Sequence, residues 1–294
     1  MKIIDCFPFF QEKDILKLRL HELNNYVDNF LISELNVTHS GIKKKSIFNS
    51  LKKEIPEFLP KIHSIIGKES EVTDFYYELA RGHGVIPHLQ NDNQHEKKRI
   101  SNWGREVYQR CILEKLLNKL ELDKDDIIIL SDVDEIPDPK ILSSIREGKI
   151  DLNNNILILE QDMFIYSFHY YHQKFRGTRI MTWGNFLKSN LTLDHLRTKT
   201  HEFPFENKVL LDSGWHLSYF GDFKTILKKY ISYTHSCDPT QKIYSDNNLN
   251  ETEKIELIKT RFKDMIDKNQ LIYLENPIFP PVCYGKELFV ELLH

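Results

Sequence analysis

Short apolar runs alternate with segments of helical periodicity through the first 160 residues of the chain. The apolar runs at residues 3–4, 26–32, 62–66, 127–130 and 156–159 predict buried strands. The segments at about 12–23, 46–55, 101–120 and 138–147 have the spacing of amphipathic helices. This alternation predicts an α/β fold with a mostly parallel central sheet and helices on both faces. Ligands of such sheets bind outside the carboxyl ends of the strands.

The second half of the chain is less regular. Residues 163–220 are rich in aromatic residues, His and Gly, and predict strands and long loops over the sheet edge. Two helices follow, and a loop is predicted at 236–251; the helical spacing is kept by Phe223, Ile226, Leu227, Tyr230 and Ile231, and again by Ile255, Ile258, Phe262 and Ile266. We predict a catalytic domain at 1–240 and a C-terminal helical extension at 241–294, packed on it without a clear linker.

Composition narrows the class of protein. The chain has 294 residues, is 40% apolar and has a net charge of −3, which indicates a globular protein and gives no sign of a nucleic-acid partner. Its four cysteines have neither zinc-site nor disulfide-framework spacing, so we expect free, buried thiols. No apolar run is long enough for a membrane span and no leader pattern is visible, so we expect a cytoplasmic protein. Nothing in the sequence indicates the oligomeric state.

The strongest chemical signal follows the apolar run at 127–130. Asp132, Asp134 and Glu135 place three carboxylates within four residues, which is repulsive unless a cation or solvent relieves it. The i, i+2 spacing puts Asp132 and Asp134 on one side of an extended chain. Oxygen ligands suit Mn²⁺ or Mg²⁺, which could bridge the phosphates of a nucleotide-sugar. An acid-rich helix N-terminus is the alternative interpretation, since Pro137-Asp138-Pro139 starts a helix.

Two other classes of function remain open at this point. An Asp-x-Asp after a strand also opens the phosphatase site of the haloacid-dehalogenase type, which would make the chain a phosphatase or nucleotide hydrolase. That site normally lies on the first strand and is followed by a hydroxyl residue, whereas Glu135-Ile136-Pro137 follows here. A non-catalytic glycan-binding module could use the aromatic run at 164–171, although its alternation also fits an ordinary strand with one buried face.

Several motifs stand in order along residues 1–240. They are Asp5-Cys6-Phe7-Pro8-Phe9-Phe10 with Glu12, Leu16 and Arg19, then Ile32-Ser33-Glu34, Thr38-His39-Ser40-Gly41, Arg105-Glu106, Gln109-Arg110, Ser131-Asp132-Val133-Asp134-Glu135-Ile136-Pro137 and Gly214-Trp215-His216. Together these motifs resemble glycosyltransferase family 17. The animal members are β-1,4-mannosyl-glycoprotein β-1,4-N-acetylglucosaminyltransferases. The resemblance implies a GT-A fold and an inverting transfer from a UDP-sugar, with UDP-N-acetylglucosamine as the expected donor, to a glycan hydroxyl. Without the anchor and stem of the animal enzymes, a chain of this kind is expected to act on other glycans.

Donor-binding candidates lie at the predicted carboxyl edge of the sheet. Asp5 and Glu34 end strands, and Glu34 could bind ribose or uracil or could cap the next turn. Phe7, Thr38 and Val133 join the expected donor site through the motifs of the resemblance. On the helix at 101–120 the polar residues fall in the first half of the face, so we expect Arg110, and also Arg105, to neutralise phosphate. A surface ion pair between Glu106 and Arg110 is the alternative.

The motif Gly214-Trp215-His216 supplies the remaining donor-site candidates. His216 could complete the metal coordination of Asp132 and Asp134, with His235 as a rival, and Trp215 could stack on a sugar face. Inversion also needs a base for the acceptor hydroxyl. Asp212, Asp162, Glu135 and Glu160 are the candidates, and the sequence does not separate them.

Overall fold

The structure is a computed structural model and describes residues 1–283. In this part of the chain the strands are β1 (Ile3–Pro8), β2 (Asn29–Leu35), β3 (Ile62–Gly67), β4 (Ile127–Leu130), β5 (Glu135–Pro137), β6 (Asn155–Leu159), β7 (Gln161–Ile165), β8 (Tyr170–Phe175), β9 (Arg179–Thr182), β10 (Glu206–Leu210), β11 (Gly214–Ser218) and β12 (Ile272–Tyr273). The helices are α1 (Lys13–Leu23), α2 (Ile47–Leu51), α3 (Asp74–Ala80), α4 (Asn93–Cys111), α5 (Glu114–Leu117), α6 (Pro139–Arg146), α7 (Trp183–Ser189), α8 (Leu193–Thr198), α9 (Phe223–Ser232) and α10 (Glu251–Asp267).

Seven strands form the central sheet, in the order β10-β6-β9-β4-β1-β2-β3. Strand β9 runs antiparallel to its neighbours β4 and β6, while the other pairs in the sheet are parallel. A second sheet has the order β12-β8-β7-β11-β5. The predicted mixed α/β architecture with a mostly parallel central sheet is therefore confirmed.

Strand β4 shows why the apolar runs become central strands. Its four residues are all buried, because both faces of the sheet are covered. Ile127 and Ile129 pack into the core that contains α1 and α6, whereas Ile128 and Leu130 pack into the core that contains α5, α7 and α8. Successive side chains thus point to opposite layers, as the two-residue period of a strand requires.

The predicted elements are found with shifted boundaries. The helix predicted at 101–120 begins earlier, at Asn93, because the Asp92 side chain accepts hydrogen bonds from the amides of Gln94 and His95. It ends at Cys111, and the separate short helix α5 follows. The alternating run at 164–171 does not form one strand. The chain reverses between β7 and the antiparallel β8, with Tyr166 at a positive φ of 71°.

The last two predicted helices are present as α9 and α10. They pack together through a cluster of buried residues, namely Ile226, Leu227, Tyr230, Tyr244 and Ile258. The boundary predicted at residue 240 stays a prediction, and residues 284–294 of the predicted extension lie outside the described residues. Cys6, Cys111, Cys237 and Cys283 are free and buried, as expected. Among residues 1–283, no helix combines the length and the apolar character that a membrane span needs.

Candidate active site

A cleft of about 510 Å³ opens beyond the carboxyl ends of β1, β2 and β4. Helices α4, α8 and α9 and strand β11 form its other walls. Its lining is both aromatic and charged, and includes Phe10, Glu12, Thr38, His39, Lys44, Trp103, Glu106, Arg110, Asp132, Val133, Asp134, Met163, Phe175, Arg197, His216, Tyr219, Lys229, Tyr233 and His235. The cleft therefore lies where the topology of the sheet predicts a ligand.

Arg19 holds the acidic turn between β4 and β5 from behind. Its guanidinium is fully buried and donates to the backbone carbonyls of Asp132 (3.0 Å) and Glu135 (2.7 Å) and to Ser131 Oγ (2.6 Å). It also forms a two-pronged ion pair with Asp5, at 2.8 and 2.6 Å. Asp5 is therefore completely buried behind the turn and does not line the cleft. Phe7, also buried, packs its ring 4.5 Å from the Arg19 guanidinium.

The carboxylates of Asp132 and Asp134 both face the cleft. In each, one oxygen is held by a cation: Arg197 Nη2 lies 3.0 Å from Asp132 Oδ2, and Lys229 Nζ lies 2.9 Å from Asp134 Oδ2. Within residues 1–283 the other oxygen of each, Oδ1, has no hydrogen-bond donor. Arg110 Nη2 lies 3.9 Å from Asp132 Oδ1, and His216 Nε2 lies 3.8 Å from Asp134 Oδ1, both beyond hydrogen-bonding distance. Each aspartate thus keeps one oxygen available for a ligand.

Burial and neighbouring charges act in opposite directions on these two acids. Desolvation raises the pKa of Asp132, but Arg197 and Arg110 outweigh it and bring the pKa to about 2. For Asp134, desolvation is likewise outweighed by Lys229 and His216, so its pKa is also lowered. Both groups are therefore anionic at neutral pH, as metal or cation binding requires.

Glu135 is buried beside this pair. Its Oε1 accepts a hydrogen bond from Arg197, and its Oε2 accepts one from the Asp132 amide at 3.2 Å. Gly177 packs directly on the carboxylate, where a β-carbon would collide with it. Desolvation raises the pKa of Glu135 in spite of Arg197. Glu135 thus orients Arg197 and the turn, and it does not line the cleft.

Arg110, Arg197 and Lys229 reach the acidic turn from the side of the cleft, opposite Arg19. Arg110 on α4 is buried, pairs with Asp194 and lies 2.6 Å from Glu106, so the predicted Glu106–Arg110 pair exists inside the site and not on the surface. Desolvation opposes the charge of Arg110, but Glu106 and Asp194 raise its pKa. Sequence reasoning missed Arg197 on α8 and Lys229 on α9.

A weak sequence signal for such residues does exist. Lys229 stands three residues after the buried Ile226, and Arg197 follows the buried Leu196. In α1, Arg19 falls on the apolar face between Leu16 and Leu23. A charged residue on the buried face of a helix needs a partner, which makes it a candidate for a site.

The side chains around Asp132 and Asp134 supply part of the ligands that a metal site needs. Within residues 1–283, no three His, Cys, Asp or Glu side chains are arranged to hold a metal ion by themselves. Two carboxylate oxygens and one imidazole nitrogen nevertheless face the cleft, and a buried His216 Nδ1 has no hydrogen-bond partner there. Mg²⁺ is commonly held by one or two carboxylates together with substrate phosphates, and Mn²⁺ accepts the same oxygen ligands. The residues therefore fit a divalent cation whose coordination a phosphate would complete.

Other predicted donor residues have different environments. Thr38 lines the cleft, and its Oγ1 accepts a hydrogen bond from the Ile42 amide at 3.0 Å. Arg105 is outside the lining and binds Glu69 (2.7 Å) and the His39 carbonyl (3.0 Å). These contacts order the loop beside the cleft.

Glu34 caps the start of α2. It is buried and accepts hydrogen bonds from Ser46 Oγ (2.6 Å) and the Ile47 amide (2.8 Å), and it pairs with Lys44. This environment matches the capping alternative for Glu34, because its carboxylate is already occupied.

The candidates on strands β7 and β11 lie on opposite faces of the second sheet, because successive side chains of a strand alternate between its faces. His216 on β11 pairs with Met163 on β7, and both line the cleft. Trp215 and Asp162, which also pair, therefore face the opposite side of the sheet. Trp215 is buried there and donates to the Ile278 carbonyl at 3.1 Å.

The base candidates other than Glu135 also lie away from the cleft. Asp162 and Asp212 share Lys174, at 2.8 and 2.5 Å, and Glu160 pairs with Arg176. None of these three carboxylates lines the cleft. That Asp162, Asp212 or Glu160 acts as the base stays a prediction, and their positions outside the cleft do not favour it. His235, the rival of His216, lines the cleft and hydrogen-bonds Asp238 at 2.7 Å.

The family model of glycosyltransferase family 17 matches residues 1–268. The chain belongs to glycosyltransferase family 17. It is therefore a glycosyltransferase, and neither a phosphatase nor a non-catalytic glycan-binding module. A comparison with curated proteins found no match.

Similar solved structures include two of TarS from S. aureus. The crystal structure of S. aureus TarS 1-349 has a TM-score of 0.38 and 9% identity, and the match covers 86% of this chain and 77% of that one. A second crystal structure of S. aureus TarS has a TM-score of 0.36 and 8% identity, with 83% of this chain and 41% of that one covered. At these TM-scores the likeness adds nothing to the family assignment.

In this family 17 glycosyltransferase the charges of the cleft balance. Within residues 1–283 it is lined by four carboxylates, those of Glu12, Glu106, Asp132 and Asp134, and by four cationic side chains, those of Lys44, Arg110, Arg197 and Lys229. Lys229 pairs with both Glu12 and Asp134, whereas Lys44 pairs with Glu34 outside the lining. Each of the four lining carboxylates lies beside a cationic side chain. An anionic ligand can therefore take over a cation from a carboxylate, and no uncompensated charge is buried when it binds.

Proposed function

We propose that this glycosyltransferase transfers N-acetylglucosamine from UDP-N-acetylglucosamine to a glycan hydroxyl, with inversion and with the help of Mn²⁺ or Mg²⁺. One observation carries the proposal: Asp132 and Asp134 each keep an unbound oxygen in the cleft, and Arg110, Arg197 and Lys229 surround them. Such a mixture of acids and cations suits a diphosphate and the cation that accompanies it. The uridine and N-acetylglucosamine parts of the proposal rest on the family resemblance.

The side chains that line the cleft have different roles in the proposed binding of the donor. Asp132 and Asp134, through Oδ1, and His216, through Nε2, would hold the divalent cation. When bound, that cation supplies a Lewis acid that neutralises charge on the departing diphosphate. Arg197 and Lys229 orient the two carboxylates, since each holds the other oxygen. Arg110 adds a positive charge on the α4 side, and Phe10 and Thr38, which line the cleft beyond the ends of β1 and β2, would contact the nucleoside.

Direct displacement explains how inversion would occur. The acceptor oxygen attacks the anomeric carbon on the face opposite the diphosphate, while the bond from that carbon to the diphosphate oxygen breaks. The electron pair passes to the leaving oxygen, where fixed cations in a site shielded from water stabilise it more strongly than bulk solvent does. A base must take the proton of the acceptor hydroxyl.

A thermal-shift panel tests donor and metal together. We expect UDP or UDP-N-acetylglucosamine with Mn²⁺ to raise the melting temperature, by an amount equivalent to about 2.7 kcal/mol at a hundredfold excess over Kd. GDP, GDP-sugars and UDP without metal should give smaller shifts. Release of UDP from UDP-N-acetylglucosamine, measured in parallel, reports turnover.

The matched control is Asp134→Ala. We expect it to keep the far-UV circular dichroism spectrum of the wild type but to lose the metal-dependent shift and about 10²- to 10³-fold in UDP release. Full activity of this variant would contradict the proposed cation site. A shift that is as large with GDP-sugars would contradict the proposed donor.

A further inference from the structure

Four carboxylates line the cleft in the described part of the chain: Glu12, Glu106, Asp132 and Asp134. The acceptor proton must go to a group that reaches the bound sugar, and a carboxylate is a suitable base for it. Asp132 and Asp134 are assigned to the cation by the proposed function. Glu106 is bound by Arg110 at 2.6 Å and lies 3.7 Å from His39 Nδ1. Glu12 is the one that neither an arginine nor the proposed cation occupies.

We propose that Glu12 is the catalytic base that deprotonates the acceptor hydroxyl. The proposal rests on the proposed transfer reaction and adds to it the residue that the sequence left open. Glu12 was absent from the sequence-derived candidates for the base, although it stands in the first motif of the family resemblance.

The side chain of Glu12 lines the cleft and does not cap the helix that begins beside it. Glu12 is the N-cap residue of α1, but its carboxylate makes no capping hydrogen bond to the helix. It turns back instead, and Oε2 accepts a hydrogen bond from the Gln11 amide at 2.9 Å. The side chain is 10% exposed, so it is shielded from bulk water but still reachable from the cleft. A helix cap would instead accept hydrogen bonds from the first amides of α1.

Lys229 connects Glu12 to the donor end of the cleft. Its Nζ lies 3.3 Å from Glu12 Oε1 and 2.9 Å from Asp134 Oδ2. The base candidate is therefore one ammonium group away from a ligand of the proposed cation. An acceptor hydroxyl beside Glu12 would consequently be close to a sugar whose diphosphate lies at Asp132 and Asp134. This proximity is what direct displacement demands.

The step balances without another reactant. The acceptor oxygen forms a bond to the anomeric carbon and gives its proton to a Glu12 carboxylate oxygen. The bond from that carbon to the diphosphate oxygen breaks, and its electron pair leaves with the diphosphate, which Lys229 is placed to approach once Glu12 is neutral. Glu12 later returns the proton to solvent.

The test uses the full-length protein with UDP-N-acetylglucosamine and Mn²⁺, and follows UDP release with water as acceptor. Glu12→Gln should lower the turnover number by about 10²- to 10⁴-fold, the usual contribution of a general base. The Kd for UDP should change less than about threefold, and Glu12→Asp should recover part of the rate. The matched control is Glu54→Gln, a carboxylate outside the cleft that likewise pairs with a lysine, Lys17 at 2.7 Å, and its turnover should stay within about twofold of wild type.

Azide separates a base from a residue that is merely structural. Azide is an anion and needs no deprotonation, so it should restore UDP release in Glu12→Gln and yield a glycosyl azide detectable by mass spectrometry. It should not restore Asp134→Ala. Wild-type turnover in Glu12→Gln, or a loss of turnover that azide fails to rescue although UDP still binds, would overturn the assignment to Glu12. If the wild type itself releases no UDP, this result contradicts the proposed donor reaction, and the assignment of Glu12 as its base falls together with that reaction.

Discussion

Two groups of charged side chains lie on opposite sides of strands β7 and β11. The cleft cluster contains Asp132, Asp134 and Glu135 with their cations, and it is mostly buried. The outer cluster contains Asp162, Asp212 and Lys174, and the Asp212 side chain is 79% exposed. The two clusters have similar composition, but only the first has a cleft in front of it and a buried frame behind it.

The comparison shows that burial, and not the number of acids, distinguishes a site. In the cleft cluster Asp134 and Glu135 are buried and depend on fixed cations, and Asp132 is 36% exposed on the side of the cleft while Arg197 and the buried frame hold it from behind, so the arrangement is rigid and electrostatically strong. In the outer cluster water screens each charge, so the same ion pairs contribute little. Substitutions behind the cleft cluster should therefore lower stability strongly, and equivalent changes in exposed ion pairs should lower it little.

The largest expected effect comes from the frame behind the acidic turn. Arg19→Met leaves the Asp5 carboxylate buried without its cation and removes the hydrogen bonds of Arg19 to the backbone carbonyls of Asp132, Val133 and Glu135. We expect the free energy of unfolding to fall by about 3–5 kcal/mol, as when one partner of a buried ion pair is removed. Urea denaturation followed by circular dichroism measures the change. The double variant Arg19→Met/Asp5→Asn should be more stable than Arg19→Met, since the stranded charge is gone.

Arg146→Met provides the exposed counterpart. Arg146 pairs with Asp28 at 2.6 Å, and both side chains are more than a third exposed. The loss here should be about 0–1 kcal/mol. Equal losses of unfolding free energy in Arg19→Met and Arg146→Met would show that the buried ion pair behind the turn is no stronger than a surface ion pair.

The sequence predicts the parts of this site that depend on neighbouring residues. Strand β4 and the acids after it are a local pattern, an apolar run followed by charges, and the structure has both where the pattern places them. The polar first half of the predicted helix at 101–120 is likewise local, and it brings Glu106 and Arg110 to the cleft.

The parts that were missed depend on contacts between distant segments. Arg197 and Lys229 reach the acidic turn from helices 62 and 95 residues away in sequence. The distinction between His216, which faces the cleft, and Trp215, which faces the core, follows from strand register. A shift of the strand register by one residue would exchange the faces of Trp215 and His216, and no local sequence pattern fixes that register. This is why the sequence predicts both side chains of Gly214-Trp215-His216 in the donor site, although only His216 faces the cleft.

A smaller effect is expected from pH, through Asp194 behind the cleft. Desolvation disfavours its charge, but His83 and Arg110 bring its pKa to about 2, below the value of about 3.9 in an unfolded chain. A lowered pKa in the folded state gives stability that is complete above the unfolded value and is lost as the pH falls. We expect Asp194 to contribute about 2 kcal/mol that disappears between about pH 5 and pH 2.

The pH dependence of urea denaturation in Asp194→Asn checks this contribution. The variant should be less stable at pH 7, and its stability should fall less between pH 5 and pH 2 than that of the wild type. Asp264→Asn is the exposed control, since Asp264 lies 3.7 Å from Lys268 on the surface of α10. It should keep the wild-type slope. A slope in Asp194→Asn equal to that of the wild type would contradict the assignment.

The smallest effects are expected in the outer cluster. Partial desolvation opposes the charge of Lys174, but its hydrogen bonds to Asp162 and Asp212 raise its pKa. Because these groups are solvated, Lys174→Met should cost no more than about 1 kcal/mol of unfolding free energy, and Asp212→Asn should leave UDP release within about twofold of wild type. A large loss of turnover in Asp212→Asn with unchanged UDP affinity would move the base to the outer cluster. The acceptor would then have to approach from the side of the sheet opposite Met163 and His216, where the donor cleft does not reach.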